Sequence, residues 1–345
     1  MGYKDSKTVK YLSDPEKCAD LLNGIFYKGE QIISADMLTE KDTIGIVMPY
    51  LKGQKSVAIK RYRDLLKQCI MVEGKQKRYL IIGIENQSDI HYAMPVRNLL
   101  YNAITYAEQV ECIAKSNRQA CGIAKRINSE SDGDANEITV TYRNEDEFLS
   151  GFRKEDKIMP VITITLYWGD KSWDGPKTLK EMLIPYDENL DKYIDDSNIN
   201  LFSIIDEESF EQFHTQLGKV FKILNSRKDG QKMKEIVEQD EEYQKMDKES
   251  AEIISEFTSI KMPRKNRKQE GYNVCKAVME IRQEGISVGI SVGIRQGISQ
   301  GISQGIKALT NTLKPIFKTP EKVLENIISQ EGFEDTTIED VKKYW

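Results

Sequence analysis

The sequence predicts an α/β protein that continues into a mostly α-helical C-terminal region. RYRDLLKQCIMV at 61–72 and RYLIIGI at 78–84 flank the short segment EGKQ, which is the pattern of a β-hairpin. MPVITITLYWG at 159–169 is rich in β-branched residues and predicts a buried strand. Apolar residues recur at helical spacing over 94–110, and beyond residue 200 one helical pattern follows another.

The remaining elements follow from local signals. Asp14-Pro15 combines an N-cap with a proline at the first helical position, so a helix should run from there toward Gly24. Residues 30–55 predict loop or weak strand, because glycine and proline interrupt short apolar runs. Residues 115–157 are polar, with an exposed loop expected at 129–137. After residue 200, one apolar helix face should comprise Phe210, Phe213, Leu217, Val220, Phe221 and Leu224.

Composition limits the function classes that need to be considered. With 39% hydrophobic and 30% charged residues, and no run of about 20 apolar residues, the chain predicts no membrane association. The first twenty residues contain no apolar core of a secretory signal, so we expect a cytoplasmic location. A net charge of −5 argues against a protein that coats nucleic acid non-specifically, but it leaves room for a local basic groove.

The cysteines and histidines give little indication of a metal site or a catalytic site. The five cysteines are widely spread without a CxxC pair, which argues against disulfides and structural zinc. The two histidines, His91 and His214, supply too little material for a histidine-based catalytic or metal site. Any hydrolytic activity should therefore use carboxylates that hold a hard metal ion.

A carboxylate pair is predicted at one end of the hairpin. If Gly74-Lys75 form a two-residue loop, Asp64 falls opposite Glu85, and Gln87 shares their face. Two carboxylates beside an apolar strand are costly unless a cation neutralises them, and oxygen ligands favour Mg²⁺ or Mn²⁺. Spacing alone equally allows a solvated strand end without chemistry.

Several segments resemble one family of nucleases. RDLLK at 63–67, IENQS at 84–88 and MPVRNLLY at 94–101 resemble the recombination-promoting nuclease family, also described as putative transposases, within the PD-(D/E)XK superfamily. The strand at 160–169, the WDGP that follows it and the Gly-Ile tail are similar to later parts of that family. The match spans about residues 3 to 225, and it implies a restriction-endonuclease-like mixed sheet flanked by helices.

The resemblance also implies an activity. It predicts Mg²⁺-dependent DNA cleavage that promotes recombination or transposition, with Asp64 and Glu85 as metal ligands. The first-helix carboxylate of the superfamily corresponds to Asp20 or Glu16, of which we prefer Asp20. Gln87 stands where the wider superfamily has lysine; an amide can orient water but brings no positive charge, so activity should be slow or lean more on the metal.

DNA contacts are predicted in two places. Arg97 and Tyr101 lie four residues apart on one helix face, where they could meet phosphate and base or simply stack over the core. A basic cluster could lie along a DNA backbone or form an exposed linker. This cluster comprises Lys261, Arg264, Lys265, Arg267 and Lys268. His91 follows the carboxylate motif in a predicted loop, where we expect a surface or structural role.

The C-terminal region repeats Gly-Ile every four residues over 285–306. A helix here would present a stripe of glycines to another helix and could pair chains into a homo-oligomer, whereas a flexible tether would not. We accordingly divide the chain into a nuclease-like domain at 1–225, a helical extension at 226–284, the repeat, and a helical segment at 307–345. The competing functional hypothesis is a non-catalytic DNA-binding or assembly protein that retains the nuclease fold.

Overall fold

The structure is a computed structural model that describes residues 3–47, 59–73, 76–130, 142–262 and 271–345. The chain divides into two compact units, Met1–Lys276 and Ala277–Trp345. None of the helices in these described ranges combines the length and the apolar character needed to cross a membrane.

A mixed five-stranded sheet lies at the centre of the first unit. Its strand order is β1-β4-β5-β6-β7, with β1, β4 and β5 antiparallel and β5, β6 and β7 parallel. These strands are β1 (Leu38–Glu40), β4 (Leu65–Glu73), β5 (Gln76–Gln87), β6 (Val161–Tyr167) and β7 (Asn200–Ser203). A separate antiparallel pair consists of β2 (Ile44–Val47) and β3 (Ile59–Tyr62). The predicted mixed sheet flanked by helices is therefore confirmed.

The hairpin register agrees with the sequence prediction. Glu73 pairs with Gln76 and Leu65 pairs with Ile84. Gly74 and Lys75, the predicted loop, lie outside the described residues. Because strand residues alternate between faces, this register directs every second side chain of β5 to the same side of the sheet.

Helices cover both faces of the sheet. Helix α3 (Met94–Glu130) connects the parallel strands β5 and β6, and it packs on the face that carries Leu66 and Ile81. The opposite face meets α1 (Tyr3–Ser13) and α2 (Pro15–Tyr27), where Lys67 donates from Nζ to the carbonyl oxygen of Ser13 at 3.3 Å. The same face meets α5 (Gln216–Asn225) through the ring contact of Phe202 with Phe221. This part of the first unit therefore has three layers: a helix layer, the sheet and a second helix layer.

Three local predictions were incomplete. Asp14 caps α2 as expected, but the preceding helix α1 was not predicted. Helix α3 was predicted over 94–110 but continues to residue 130, into the first two residues of the loop predicted at 129–137, because buried polar contacts anchor it; Asn117 donates to the carbonyl oxygen of Gly151 at 3.0 Å. Residues 131–141, which include most of the loop predicted at 129–137, lie outside the described residues. Phe210 and Phe213 pack against Phe221 but precede α5 and do not belong to that helix.

The first unit extends past the predicted boundary at residue 225. It includes α4 (Glu145–Ser150), α6 (Gly230–Gln239) and α7 (Lys248–Thr258). Helix α7 is fixed to α1 by a buried hydrogen bond of 2.9 Å between Tyr11 Oη and Ser250 Oγ. An ion pair of 2.7 Å between Lys7 and Glu256 joins the same helices. The predicted helical extension is thus largely part of the α/β unit.

The C-terminal helices are α8 (Val274–Phe317), α9 (Pro320–Ile328) and α10 (Ile338–Lys342). The whole Gly-Ile repeat lies within α8, so of the two alternatives the structure shows the helix. Val323, Ile327 and Val341 form a small core of the second unit. The isoleucines of the repeat from Ile286 to Ile302 are between 37% and 59% exposed. Within the second unit they therefore form an uncovered apolar stripe.

Candidate active site

Glu85 occupies the centre of the candidate site. It lies in β5 two residues beyond Gly83, its side chain is fully buried, and it is on the sheet face covered by α3. Arg97, in the first turn of α3, donates from Nη2 to Glu85 Oε2 at 3.1 Å. Glu85 Oε1 has no hydrogen-bond partner in the described part of the chain. One carboxylate oxygen is therefore neutralised and the other is buried without a partner, which is an energetically costly arrangement.

Asp64 lies beside Glu85, as the hairpin register predicts. It immediately precedes β4, and its Oδ2 accepts a hydrogen bond of 2.8 Å from the backbone N–H of Asn86. Burial and then the charge of Asp64 raise the pKa of Glu85 to about 8, although Arg97 and Arg63 oppose this rise. The charge of Asp64 is thus close enough to affect the ionisation of Glu85.

A second guanidinium lies beneath the site. Arg63 is buried and donates from Nη1 to Thr163 Oγ1 at 2.8 Å. Tyr101 contacts both arginines: the guanidinium carbons of Arg63 and Arg97 lie 5.2 Å and 5.5 Å from its ring centroid. Two cationic groups and one aromatic ring therefore support the carboxylates from the α3 side.

Gly83 makes room for Arg63. A Cβ atom on Gly83 would lie 2.0 Å from Arg63 Nη1 and 3.0 Å from Thr163 Oγ1. Sequence reasoning did not assign Arg63 a role, although one signal was present: a glycine within the apolar run of β5 often marks the close approach of another group.

Gln87 shares the sheet face of Glu85, but its amide nitrogen bonds the backbone rather than a side chain of the site. Its side chain is buried, and its Nε2 donates to the backbone oxygen of Asn86 at 2.9 Å. It pairs in register with Tyr167 of β6. Its predicted role in orienting water stays a prediction.

Asp20 has a different set of contacts from the one expected. Its carboxylate accepts hydrogen bonds from the backbone N–H groups of His214 and Thr215, both at 2.8 Å, and from Thr215 Oγ1 at 2.7 Å. It therefore stabilises the start of α5 in the layer opposite α3. Glu16 is exposed. Within the described ranges no third aspartate, glutamate, histidine or cysteine completes a metal cluster with Asp64 and Glu85.

The predicted DNA contacts are only partly described. Arg97 and Tyr101 do stack, and Arg97 Nε also donates to Tyr101 Oη at 3.2 Å. Of the basic cluster, Lys261 is exposed, whereas Arg264, Lys265, Arg267 and Lys268 lie outside the described residues. His91 Nδ1 accepts from the backbone N–H of Ala93 at 3.2 Å, which is a structural role at the start of α3.

Asp64 and Glu85 are the described residues that could hold a Mg²⁺ or Mn²⁺ ion. Mg²⁺ is commonly bound by one or two carboxylates and completes its coordination with water and substrate phosphate, so a third protein ligand is not required. The unpartnered Glu85 Oε1 is the buried acceptor that such a cation would satisfy.

The five cysteines are all free thiols, so none of them stabilises the site through a disulfide.

Comparison with protein-family models, with curated proteins and with solved structures found no match for this chain.

Proposed function

We propose that the protein is a metal-dependent DNA endonuclease with a restriction-endonuclease-like fold, acting in the cytoplasm in recombination or transposition. One observation carries the proposal: a carboxylate just before β4 and a carboxylate of the adjacent strand β5 meet at a position where Glu85 Oε1 is buried and has no partner among the described residues. An enzyme that hydrolyses phosphodiesters with a divalent ion needs such a pair, whereas a purely structural sheet gains nothing from it.

The side chains have separable tasks in this proposal. Asp64, held by the N–H of Asn86, and Glu85 would bind the ion. When bound, the ion would activate water and offset charge on the phosphate. Burial of Glu85 keeps bulk water from competing for its carboxylate, and Arg97 limits the cost of that buried charge.

Cleavage of supercoiled plasmid tests the proposal. We expect nicking that requires Mg²⁺ or Mn²⁺ and that falls by roughly 10³-fold or more in Asp64→Asn and Glu85→Gln, because each removes a ligand of the ion. Glu111→Gln is the matched control, since Glu111 is an exposed carboxylate on α3. It should cleave like the wild type; equal activity in all four proteins would point to a contaminating nuclease.

A non-catalytic DNA-binding or assembly protein is the second candidate function. The ion pair of Arg97 with Glu85 favours it, because this pair neutralises the buried carboxylate without any metal. Under this alternative, the wild type would not cleave in Mg²⁺, Mn²⁺ or Co²⁺. DNA binding, measured by fluorescence anisotropy, would then be equal in the wild type and Glu85→Gln.

We also propose that the chain forms a homo-oligomer through α8. Rows of residues four apart form ridges on a helix; here exposed isoleucines form a ridge, and adjacent glycines from Gly285 to Gly301, with open space at their Cβ positions, form a groove. Replacing Gly289 and Gly293 with leucine should block close approach and reduce the mass measured by light scattering. Glu280→Gln is the control, and an unchanged mass in the leucine variant would contradict the interface.

A further inference from the structure

We propose that Arg97 is a catalytic residue that contacts the scissile phosphate and stabilises the negative charge of the transition state, rather than a residue that only anchors DNA. The inference rests on the proposed function and defines how that same centre recognises a phosphodiester. Three observations support it. The two carboxylate oxygens of Glu85 have different partners, Arg97 has a nitrogen without a hydrogen bond among the described residues, and the charges at the centre need a cation near the phosphate.

Glu85 can hold a cation and Arg97 at the same time. Its Oε2 accepts the hydrogen bond from Arg97 Nη2, whereas its Oε1 is buried and has no partner among the described residues. A cation that uses Oε1 therefore does not need to displace the guanidinium. Because Glu85 would contact both the cation and Arg97, Arg97 would lie next to the phosphate that the cation binds.

Arg97 has donors left for a ligand. Nη2 bonds Glu85 and Nε bonds Tyr101 Oη, but Nη1 has no partner within the described ranges. The side chain is 29% exposed, so it extends from the buried carboxylate to the surface. Its guanidinium also lies over the ring of Tyr101, which restricts its orientation. A planar guanidinium held in this way is suited to donate to a phosphate oxygen.

Charge balance makes this contact important. With both carboxylates ionised, Asp64, Glu85 and a phosphodiester bring three negative charges to the centre; a divalent ion would supply two positive charges and Arg63 and Arg97 one each, whereas Gln87 supplies none. Of the two arginines, Arg63 is buried and only Arg97 extends to the surface. In hydrolysis, the water oxygen bonds to phosphorus, one P–O bond to a sugar breaks, the water releases a proton to solvent, and the departing sugar oxygen takes up a proton. Negative charge grows on the non-bridging oxygens during this step, and a fixed cation beside them lowers the barrier.

The experiment separates catalysis from binding. Single-turnover cleavage of a saturating fluorescent duplex is measured in Mg²⁺, and duplex affinity is measured in Ca²⁺. We expect Arg97→Gln to slow cleavage by about 10² to 10³-fold, while its Kd changes by less than about threefold. Arg97→Lys, which keeps the charge, should retain an intermediate rate. Arg118→Gln, on the same helix and exposed, is the control and should match the wild type.

Chemical rescue provides a readout that a structural role would not produce. Added guanidinium ion should restore part of the rate of Arg97→Ala and should leave Glu85→Gln inactive; melting curves check that each variant is folded. An unchanged saturating rate with weakened Kd would make Arg97 an anchor for DNA, and unchanged rate and Kd would leave it a structural ion pair. Either result overturns the inference while the nuclease assignment stands. Absence of cleavage in both wild type and Arg118→Gln overturns both.

Discussion

Glu85→Gln should make the fold more stable than the wild type at pH 9 and leave it almost unchanged at pH 5. The pKa of Glu85 is raised from 4.5 to about 8, so between these values the folded state binds the proton more tightly than the unfolded state. Wild-type stability should therefore fall as pH rises through this window, and above pH 8 the full loss is present. Glutamine carries no charge at any pH and avoids the loss, which we expect to be about 2–4 kcal/mol.

Thermal melting of both proteins at pH 5, 7 and 9 measures this difference. The melting temperatures should separate by roughly 5–10 °C at pH 9. Glu111→Gln corrects for the general effect of removing a carboxylate. Mg²⁺ should raise the wild-type melting temperature at pH 9 and leave that of Glu85→Gln unchanged, because a bound ion stabilises only the state that binds it. A separation independent of pH would show that Glu85 titrates normally.

Gly83→Ala should destabilise the protein by about 3–5 kcal/mol, because the added methyl group displaces the buried guanidinium of Arg63 from its hydrogen-bond partner. The new methyl group would lie 2.0 Å from Arg63 Nη1, so the guanidinium must leave its hydrogen bond to Thr163. Arg63 is almost completely buried, and its Nη2 also donates to Asn102 Oδ1 at 3.2 Å, so its displacement disturbs a second hydrogen bond. Urea unfolding followed by circular dichroism measures the loss.

A double-mutant cycle tests the cause of this loss. In the Arg63→Ala background the group that would clash is gone, so adding Gly83→Ala should cost much less than it does in the wild type. Gly230→Ala is the matched control because its Cβ would meet no atom within 4 Å at the start of α6; it should leave the stability unchanged or raise it by less than about 1 kcal/mol. Equal costs of Gly83→Ala in both backgrounds would contradict the steric explanation.

Local patterns predicted the parts of the fold that local rules determine. The pairing of Leu65 with Ile84 follows from a two-residue loop and strict alternation, and the cap of Asp14 follows from its neighbour proline. Helix α1 was missed because its sequence is mostly polar, and its stability comes instead from contacts with α7 that are distant in sequence. The extension of α3 was missed for the same reason.

The two carboxylates of the candidate site were predicted, and Arg97 was predicted as a DNA contact, but neither the ion pair of Arg97 with Glu85 nor a role for Arg63 was predicted. The register brings Asp64 to Glu85, and this depends only on the hairpin. The ion pair of Arg97 with Glu85 depends on how α3 crosses the sheet, and the contact between Arg63 and Thr163 joins residues one hundred positions apart. Asp20 stands at the position in the chain that the nuclease resemblance assigns to a site residue. Its hydrogen bonds to His214 and Thr215 join residues 194 and 195 positions apart, so no local pattern predicts them.

The hydrogen bond between Trp168 and Asn86 links a tryptophan fluorophore to the candidate site. The indole Nε1 of Trp168 donates to Asn86 Oδ1 at 2.9 Å, and the backbone N–H of the same asparagine holds Asp64. Trp168 is fully buried, whereas Trp345 is partly exposed. Trp173 is buried as well, so a Trp173→Phe variant isolates the signal of the indole that is linked to Asp64 through one residue. A change in the position of Asp64 during a metal titration should then alter the fluorescence of that variant.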